Sequence, residues 1–416
     1  MPNRTYDLII YGATGFVGRI LCHYLAEHLS STPHIKWALA GRSQNKLECL
    51  QKELETQTAP PPILVADSSD SDALQGLCRS TRAIVSTVGP YAVFGELLVA
   101  ACAETGTDYC DITGEAYWIK RMIDRYQASA EQSGARLVNC CGFDSIPSDL
   151  GVLFLQTHAH ERFKSYLSSV SLRVSSVRGG ASGGTIASVI EAIKAAKSDP
   201  DLRRQMLDPY QLCPQTNLYK VPQLSLKGAG YDSVFNAWMA PFVMEAINTR
   251  VVLRSSVIGD LNYGQDFTYD EAVLTGHGLR GRLAAIGMSL GIGAMLISFY
   301  FNPLRSVLNR WVLPSPGEGP SPEAQLRGNF DLRLYGTNDM GAWLGARVTG
   351  DRDPGYGSTA KMLAQSALCL LETPHQTTSG GFWTPATAMG DALIDRLQRH
   401  AGITFDIEES PQNIGK

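Results

Sequence analysis

Over the first 140 residues, short apolar runs alternate with longer segments in which apolar residues recur at every third or fourth position. The short runs predict strands at Tyr6–Tyr11, Trp37–Ala40, Ile63–Ala66, Ala83–Thr87, Asp108–Ile112 and Leu137–Cys140. The longer segments predict helices at Phe16–Leu29, Asn45–Glu55, Asp70–Cys78, Gly95–Glu104 and Tyr117–Gln132. Strands alternating with crossover helices are typical of a parallel sheet covered on both faces. We therefore predict an α/β fold whose N-terminal domain, residues 1–147, is a Rossmann-type doubly wound parallel sheet.

The pattern beyond residue 147 mixes strands and helices. Ser171–Val177 alternates as a strand does, and the glycines of Ser182–Thr185 open a helix that runs to about Lys197. The aromatic residues of Tyr231–Val243 suit a domain core, which we favour, or an apolar substrate wall. Further predicted elements are a strand through Phe330, Leu332 and Leu334, a paired strand at Ala342–Val348 and a helix at Ser358–Leu371. We predict a second, α+β domain over residues 148–379 for substrate binding or dimerisation, with residues 380–416 returning to the first domain.

One stretch differs from the rest. Leu283–Phe301 holds nineteen residues without a charge, between Arg280 and Arg282 on one side and Arg305 on the other. As a helix it would be ~28 Å long, close to the thickness of bilayer hydrocarbon. A single crossing would separate the strands that follow from the N-terminal domain, so docking on a membrane or lipid surface, or a hairpin dip, is the preferred hypothesis. A buried core helix is the alternative. The Pro- and Gly-rich segment 313–322 is predicted to be a linker.

Composition narrows the classes of function. The chain has 416 residues, 44% of them apolar, and a net charge of -4 without a long basic run, so nucleic acid is not an expected partner. The nine cysteines are odd in number and form no CxxC pair, which predicts reduced thiols and no metal site. The start of the chain passes directly into a strand, without the pattern of a secretion signal. We expect a cytoplasmic protein, with peripheral attachment to a lipid surface if the apolar stretch docks there.

A three-glycine motif follows the first predicted strand. Its glycines suit a tight turn, close approach of the backbone to a pyrophosphate, and close packing of helix on strand. The helix start offers free N–H groups to a phosphate. The motif predicts that a dinucleotide is bound by Gly12, Ala13, Thr14, Gly15, Phe16, Val17 and Gly18.

The end of the second strand indicates which dinucleotide. Arg42 and Ser43 stand where NAD-specific enzymes place a carboxylate, and a guanidinium suits the 2′-phosphate of NADP. A surface arginine at a strand end is the alternative. Asp67, after the third strand, is either a contact on the adenine side or the N-cap of the next helix.

Two further turns fall at the same edge of the predicted sheet. Thr87, Val88, Gly89, Pro90 and Tyr91 follow the fourth strand, where they either border the nicotinamide or form a structural turn. After the sixth strand, Asp144 and Ser145 are candidates for proton delivery and for binding a carbonyl, with Tyr91 as a third catalytic candidate. Asp149 is interpreted as a cap for a helix that starts at Leu150.

These motifs together resemble the saccharopine dehydrogenase-like oxidoreductases, in the branch that contains trans-acting enoyl reductases. The resemblance rests on YDLIIYGATGFVGR, AGRS, STVGPY, GTDYCDITGE, NCCGFDSIPSD and SGGT, and near the C-terminus on DPGYGSTAKM and GGFWTPATAMGDALIDRL. It implies an NADP(H)-dependent reductase that saturates a double bond in a hydrophobic lipid or polyketide intermediate, separately from a synthase partner. Reduction of a ketone or imine, or a non-catalytic NADP-binding protein at a lipid surface, are the alternatives. A homodimer is a further expectation.

Overall fold

The computed structural model describes residues 4–30, 34–55, 60–179, 183–214, 221–259, 261, 263–300 and 319–408. Phe301 and most of the predicted linker, residues 313–318, lie outside the described residues. Two seven-stranded sheets organise this part of the chain.

The first sheet is parallel and holds the N-terminal domain. Its strands, in chain order, are β1 (Tyr6–Tyr11), β2 (Trp37–Gly41), β3 (Ile63–Val65), β4 (Thr81–Ser86), β5 (Asp108–Asp111), β6 (Arg136–Val138) and, from far along the chain, β13 (Gly381–Trp383). Their order across the sheet is β13-β6-β5-β4-β1-β2-β3. The helices are α1 (Phe16–Leu29), α2 (Gln44–Leu54), α3 (Ser71–Ser80), the short α4 (Tyr91–Phe94), α5 (Glu96–Thr105) and α6 (Ala116–Ser133). The prediction of a doubly wound α/β sheet is confirmed.

The second sheet is mixed. It contains β7 (Ser169–Arg178), β8 (Gly230–Asp232), β9 (Ala237–Pro241), β10 (Thr268–Gly276), β11 (Asn329–Thr337), β12 (Trp343–Gly350) and β14 (Ile403–Glu408), in the order β14-β12-β11-β7-β10-β9-β8. The β7–β10 pair is parallel and the other pairs are antiparallel. The predicted pairing of the strands around Leu332 and Ala346 is confirmed, since these strands form an antiparallel ladder.

The remaining helices connect and cover the sheets. They are α7 (Ile146–Phe163), α8 (Gly183–Ser198), α9 (Pro200–Gln205), α10 (Glu245–Ser255), α11 (Gly278–Tyr300), α12 (Pro322–Arg327), α13 (Thr359–Glu372) and α14 (Pro385–His400). Helix α7 begins at Ile146, earlier than the predicted start at Leu150, because Pro147 is tolerated in a first turn.

The last fifth of the chain contributes to both sheets. Helix α13 packs on α1, β4 and β5, and β13 pairs in parallel with β6. Strand β14 instead pairs with β12 in the second sheet. One continuous apolar core, from Leu8 to Phe405, therefore joins residues of both sheets.

The two apolar regions with open alternatives differ in burial. In the aromatic stretch, Phe235 is buried and Phe242 packs against the main core, as favoured, whereas Tyr231 is half-exposed. Helix α11 lies mostly outside the body, since only 11% of an 18-residue apolar stretch within Gly278–Ser298 is buried. The alternative of a buried core helix is therefore wrong for these residues, because most of their large apolar side chains are exposed.

Candidate active site

The glycine-rich turn after β1 is tightly packed. Gly12 has a φ of 87°, and a Cβ there would lie 2.7 Å from Val88 Cγ2 and 2.8 Å from Thr87 Oγ1. The Thr87 hydroxyl donates to the Gly12 carbonyl at 3.1 Å. A Cβ on Gly18 would collide with that same carbonyl. Because both positions lack a side chain, the start of α1 and the turn after β4 can pack closely against the end of β1.

The start of α1 is open to a ligand. Gly15 is exposed and precedes the helix in extended conformation, with no side chain of the described residues capping it. Ala13 is buried, Val17 packs on the core, and Thr14 is partly exposed. Uncapped N–H groups at the positive end of a helix are a binding site for phosphate. The turn therefore fits the pyrophosphate of a dinucleotide.

Arg42 and Ser43 lie where β2 passes into α2. Arg42 is exposed, and within the described residues no hydrogen bond or ion pair holds its guanidinium. Ser43 is the N-cap residue of α2, yet its hydroxyl accepts no capping hydrogen bond. Both groups are thus available to a phosphate beside the ribose.

Asp67 does not cap a helix. Its carboxylate accepts hydrogen bonds from the Ser69 N–H at 2.9 Å and hydroxyl at 2.7 Å, while Asp70 caps α3 through the Ala73 N–H. The N-cap alternative for Asp67 is therefore wrong. The Ser69 hydrogen bonds, with Arg42 adding a smaller effect, lower the pKa of the exposed Asp67 carboxyl, which stays ionised at the sheet edge.

The turn after β4 directs Tyr91 inward. Its hydroxyl donates to the Ser86 carbonyl at 2.9 Å and accepts from the Ile112 N–H at 3.3 Å, and its ring packs beside Trp118. Burial raises the pKa of this phenol well above its ordinary value. Gly89 and Pro90 bridge β4 and α4 at the carboxyl edge. Tyr91 thus stabilises this turn from its buried side.

Glu115 holds the same turn from the other side. Its carboxylate accepts from the N–H groups of Tyr91 and Ala92, both at 2.9 Å, and from the Ser188 hydroxyl of α8 at 2.6 Å. The side chain is almost fully buried. A carboxylate at the N-terminus of α4 is favourable because the exposed N–H groups there carry partial positive charge. Glu115 therefore connects the sheet edge to α8.

Two carboxyls lie close together after β5 and β6. Asp111 is buried and accepts from the Tyr109 hydroxyl, the Asn139 amide, and the N–H groups of Thr113 and Cys140. Burial raises the pKa of Asp111 to about 6 despite these hydrogen bonds.

Asp144 has a different environment from Asp111. Burial, with the nearby Asp111 charge adding to it, raises the pKa of the Asp144 carboxyl to about 7. In the described part of the chain no group donates a hydrogen bond to it, and the side chain stays partly exposed. A carboxyl that exchanges its proton near neutral pH at a ligand-binding edge is suited to acid–base chemistry.

Ser145 and Asp149 face the interior between the sheets. The Ser145 hydroxyl donates to Asn248 Oδ1 at 3.0 Å, and the Asn248 amide donates to Glu271 at 2.9 Å. Asp149 accepts from the Ser255 hydroxyl at 2.5 Å and from the Ala386 N–H at 2.8 Å. Asp149 thus caps α14, rather than a helix starting at Leu150. Both residues join the loop after β6 to the second half of the chain.

Residues from the C-terminal part of the chain contact the site, mainly through aromatic rings. The Tyr356 ring meets the Phe16 ring edge-on, with centroids 4.8 Å apart, at the start of α1. Phe143 packs on Phe330 of the second sheet at 4.9 Å, and its N–H donates to the Thr359 hydroxyl at 3.0 Å. Residues from the segment DPGYGST thereby position both the glycine turn and the Asp144 loop.

All the predicted site residues lie at or just beyond the carboxyl edge of the first sheet, because each follows a parallel strand. Four residues at this edge are not singled out by the sequence pattern, namely Asp111, Glu115, Tyr356 and Thr359. Each stands inside a motif that carried the family resemblance, so the motifs were the available signal. Their contacts cross between strands and between the two halves of the chain, which spacing alone does not show.

Comparison with known proteins identifies the family. The family model for the saccharopine dehydrogenase NADP binding domain matches residues 8–138. A Mycobacterium tuberculosis protein provisionally named a trans-acting enoyl reductase is 41% identical over 412 residues, covering 97% of each chain. A trans-acting enoyl reductase of Mycobacterium bovis is 38% identical over 411 residues, covering 95% of this chain and 96% of its own.

A solved structure shares the fold. Saccharopine dehydrogenase (L-Glu forming) from Saccharomyces cerevisiae superposes with a TM-score of 0.53 at 12% identity, over 97% of this chain and 100% of that one. At this identity the likeness concerns the fold alone. The predictions of NADP(H) as cofactor and of an NADP-dependent oxidoreductase are confirmed by the family match and the relatives. The chain therefore belongs to the family of trans-acting enoyl reductases, built on an NADP-binding domain of the saccharopine dehydrogenase type.

Proposed function

We propose that the enzyme reduces the carbon–carbon double bond of an α,β-unsaturated acyl group in a hydrophobic lipid or polyketide intermediate. The relatives' names support the reaction class. The observation that carries the proposal is Asp144, a carboxyl with a pKa of about 7 and no hydrogen-bond donor in the described chain, at the same sheet edge as the glycine turn. Saturation of a double bond needs one proton beside the hydride, and in this proposal Asp144 delivers it.

The cofactor fits the residues of the edge. Gly12 to Gly18 would hold the pyrophosphate against the start of α1, Arg42 and Ser43 would bind the 2′-phosphate, and Asp67 would lie on the adenine side. Thr87 to Tyr91 would border the nicotinamide. When bound, NADPH supplies the hydride that the β-carbon of the substrate receives.

The chain's own part in the reaction is proton transfer and positioning. Asp144, protonated in about half of the molecules near pH 7, gives its proton to the α-carbon as the double bond is lost, and is reprotonated from water. The negative charge of Asp111 favours the protonated form of Asp144 before the transfer. The other two candidates, Tyr91 and Ser145, act as positioning residues, because their hydroxyls donate hydrogen bonds to groups of the protein itself.

The substrate comes from another protein or from a lipid phase. "Trans-acting" in the relatives' names describes reductases that work apart from a synthase, which supports a synthase partner and a carrier-bound acyl chain. We propose a cytoplasmic enzyme whose second domain, residues 148–379, receives the acyl chain. A homodimer through the second domain is part of the same proposal.

The test uses isotope transfer. Purified protein is incubated with a 2-enoyl pantetheine thioester and NADPH deuterated at C4, in both stereochemical forms, and separately with unlabelled NADPH in D2O. We expect the saturated thioester in both experiments. One of the two forms of deuterated NADPH should place one deuterium at the β-carbon, and the incubation in D2O should place one deuterium at the α-carbon. Oxidation of NADPH by a 3-oxoacyl thioester or an imine, but not by the enoyl thioester, would overturn the proposal. Binding of NADPH without turnover of any of these substrates would favour a non-catalytic role.

A further inference from the structure

Helix α11 is covered by the body along one narrow strip only, which begins with the buried Gly281 and Ala285. Its first turn is fixed where the Thr275 hydroxyl donates to the Gly281 carbonyl at 2.9 Å, and where Gly281 abuts Gly276. Outside this strip the large apolar side chains are exposed, with Leu283 60%, Leu290 69% and Ile297 58% accessible. An apolar helix that the body leaves uncovered needs another apolar environment.

The exposed apolar surface occupies two opposite faces of the helix. Leu283, Ile286, Leu290 and Ile297 share one face by their spacing of three, four and seven residues, and a second copy of the chain could cover that face. Met288 and Met295 project from the opposite face and are also exposed. No charged residue occurs between Arg282 and Arg305 to make that outer face soluble in a helical dimer. A lipid hydrocarbon layer covers both faces, whereas one partner helix covers only one.

The foot of the helix has the composition of a membrane interface. Arg280 and Arg282 are exposed there, and the Arg282 guanidinium lies over the Trp238 ring, 5.2 Å from its centroid. The half-exposed Tyr231 packs edge-on against Trp238. Aromatic rings and basic groups at the level of lipid headgroups are typical of proteins that enter bilayers, and the cations favour anionic lipids.

Chain topology decides how the helix enters. The 23 residues of α11 span ~34 Å, and the chain is back at the body by Gly319, which lies against Phe16 of the cofactor domain. The intervening sequence, 301–318, contains Arg305 and Arg310. A second passage through hydrocarbon would carry these charges across it, which is strongly unfavourable. Because the chain lies at the body both before α11 and again at Gly319, insertion from a single side of the bilayer is favoured over a crossing.

We propose that α11 inserts into a lipid bilayer from the side to which the chain also returns, with Arg280 and Arg282 among anionic headgroups. The insertion itself does not depend on the reaction. Helix α8 packs against both α11 and α4, and its Ser188 binds Glu115, so the inserted helix lies beside the edge that carries the site. If the proposed function holds, an acyl substrate dissolved in the membrane enters along α8; this step rests on that function.

The test measures vesicle binding of the full chain. Flotation with vesicles of phosphatidylcholine plus phosphatidylglycerol is compared for the parent protein, Leu290→Glu and the matched control Leu224→Glu, which alters an equally exposed leucine outside α11. Leu290→Glu should weaken vesicle binding roughly 100-fold, since a buried carboxylate in hydrocarbon is unfavourable. Leu224→Glu should bind as the parent does. NADPH affinity, unchanged in both variants, shows that they are folded.

A second measurement reports insertion directly. Leu290→Cys in a Cys49→Ser background is labelled with the environment-sensitive dye NBD, because Cys49 is the exposed cysteine of the described chain. Its emission should shift to the blue with vesicles, and a label on Leu224→Cys should not respond. The proposal is overturned if the label on residue 290 stays in water, or if Leu290→Glu leaves flotation intact and instead turns a dimer into a monomer. Vesicle binding with no enoyl reduction would leave the insertion standing and refute only the function.

Discussion

Replacement of Asp144 by Asn tests the proposed proton donor and its environment together. The variant keeps the size of the side chain and removes the titrating proton. As a general acid, Asp144 must be protonated, so the parent kcat/KM should fall as the pH rises above about 7. Loss of a positioned acid lowers rates by about 10²- to 10⁴-fold. We expect Asp144→Asn to lose activity on this scale, to lose that alkaline limb, and to bind NADPH normally.

The same substitution should increase stability. The pKa of Asp144 rises on folding from 3.8 to about 7, so the native state holds the proton more tightly than the unfolded state. The parent therefore loses stability as the pH rises from about 4 to about 7, and the full difference corresponds to about 4 kcal/mol. Partial exposure of the side chain makes this an upper limit. The free energy of unfolding of Asp144→Asn, relative to the parent, should be near zero at about pH 4 and grow to a plateau above about pH 7.

Urea unfolding over this pH range, with NADPH oxidation on the enoyl thioester, measures both effects. Asp149→Asn is the matched control, since burial also raises the pKa of that carboxyl to about 7. Asp149, however, binds Ser255 and caps α14, so its substitution should lower stability instead. A stability difference for Asp144→Asn that does not change with pH would refute the environment assigned to Asp144. Unchanged turnover would refute its role as donor.

Three further predictions concern the edge of the sheet. Arg42→Asp should weaken NADPH binding by roughly 10- to 100-fold and shift preference toward NADH, measured by fluorescence titration; unchanged preference would remove Arg42 from the 2′-phosphate site. Gly18→Ala should lower stability by about 1–3 kcal/mol and weaken NADPH binding, because the new methyl meets the Gly12 carbonyl, whereas Gly76→Ala in α3, with nothing within 4 Å, should stabilise by up to about 1 kcal/mol in thermal unfolding. Glu115→Gln should lower stability by about 1–2 kcal/mol and reduce kcat more than it weakens NADPH binding, since the turn loses its charged acceptor; an equal effect on both constants would contradict a positioning role.

The N-terminal domain could be predicted from the sequence because each element there carries its own local signal. Strand β1 and helix α1 have the predicted bounds, since the glycine turn separates a continuous apolar run from a helical period. The direction of side chains was harder to predict. Tyr91 turns inward because its hydroxyl pairs with the Ser86 carbonyl at the end of β4 and with the Ile112 N–H just after β5.

The sequence also could not predict which apolar and polar side chains remain exposed in the folded protein. The composition of α11 fits a core helix and a lipid-bound helix equally well, and only its place outside the body separates them. Asp144 and Ser145 are neighbours in sequence with the same apparent promise, yet the Ser145 hydroxyl is bound to Asn248 while Asp144 finds no donor in the described chain. Tertiary contacts with residues about a hundred positions away decide such differences, and local patterns do not contain them.

The return of the chain to its first sheet also bears on synthesis at the ribosome. Buried Arg136 pairs with Asp108, but it also donates to the Leu370 carbonyl at 2.7 Å and the Thr373 carbonyl at 2.6 Å, and β13 completes the sheet edge beside it. A nascent chain that has reached only residue 330 has the Asp108 partner of this cation but lacks the two carbonyls and the strand that pairs with β6. Nearly the whole chain must therefore be synthesised before the first sheet is complete. Until then the unpaired edge of β6 is exposed, and a chaperone would bind there.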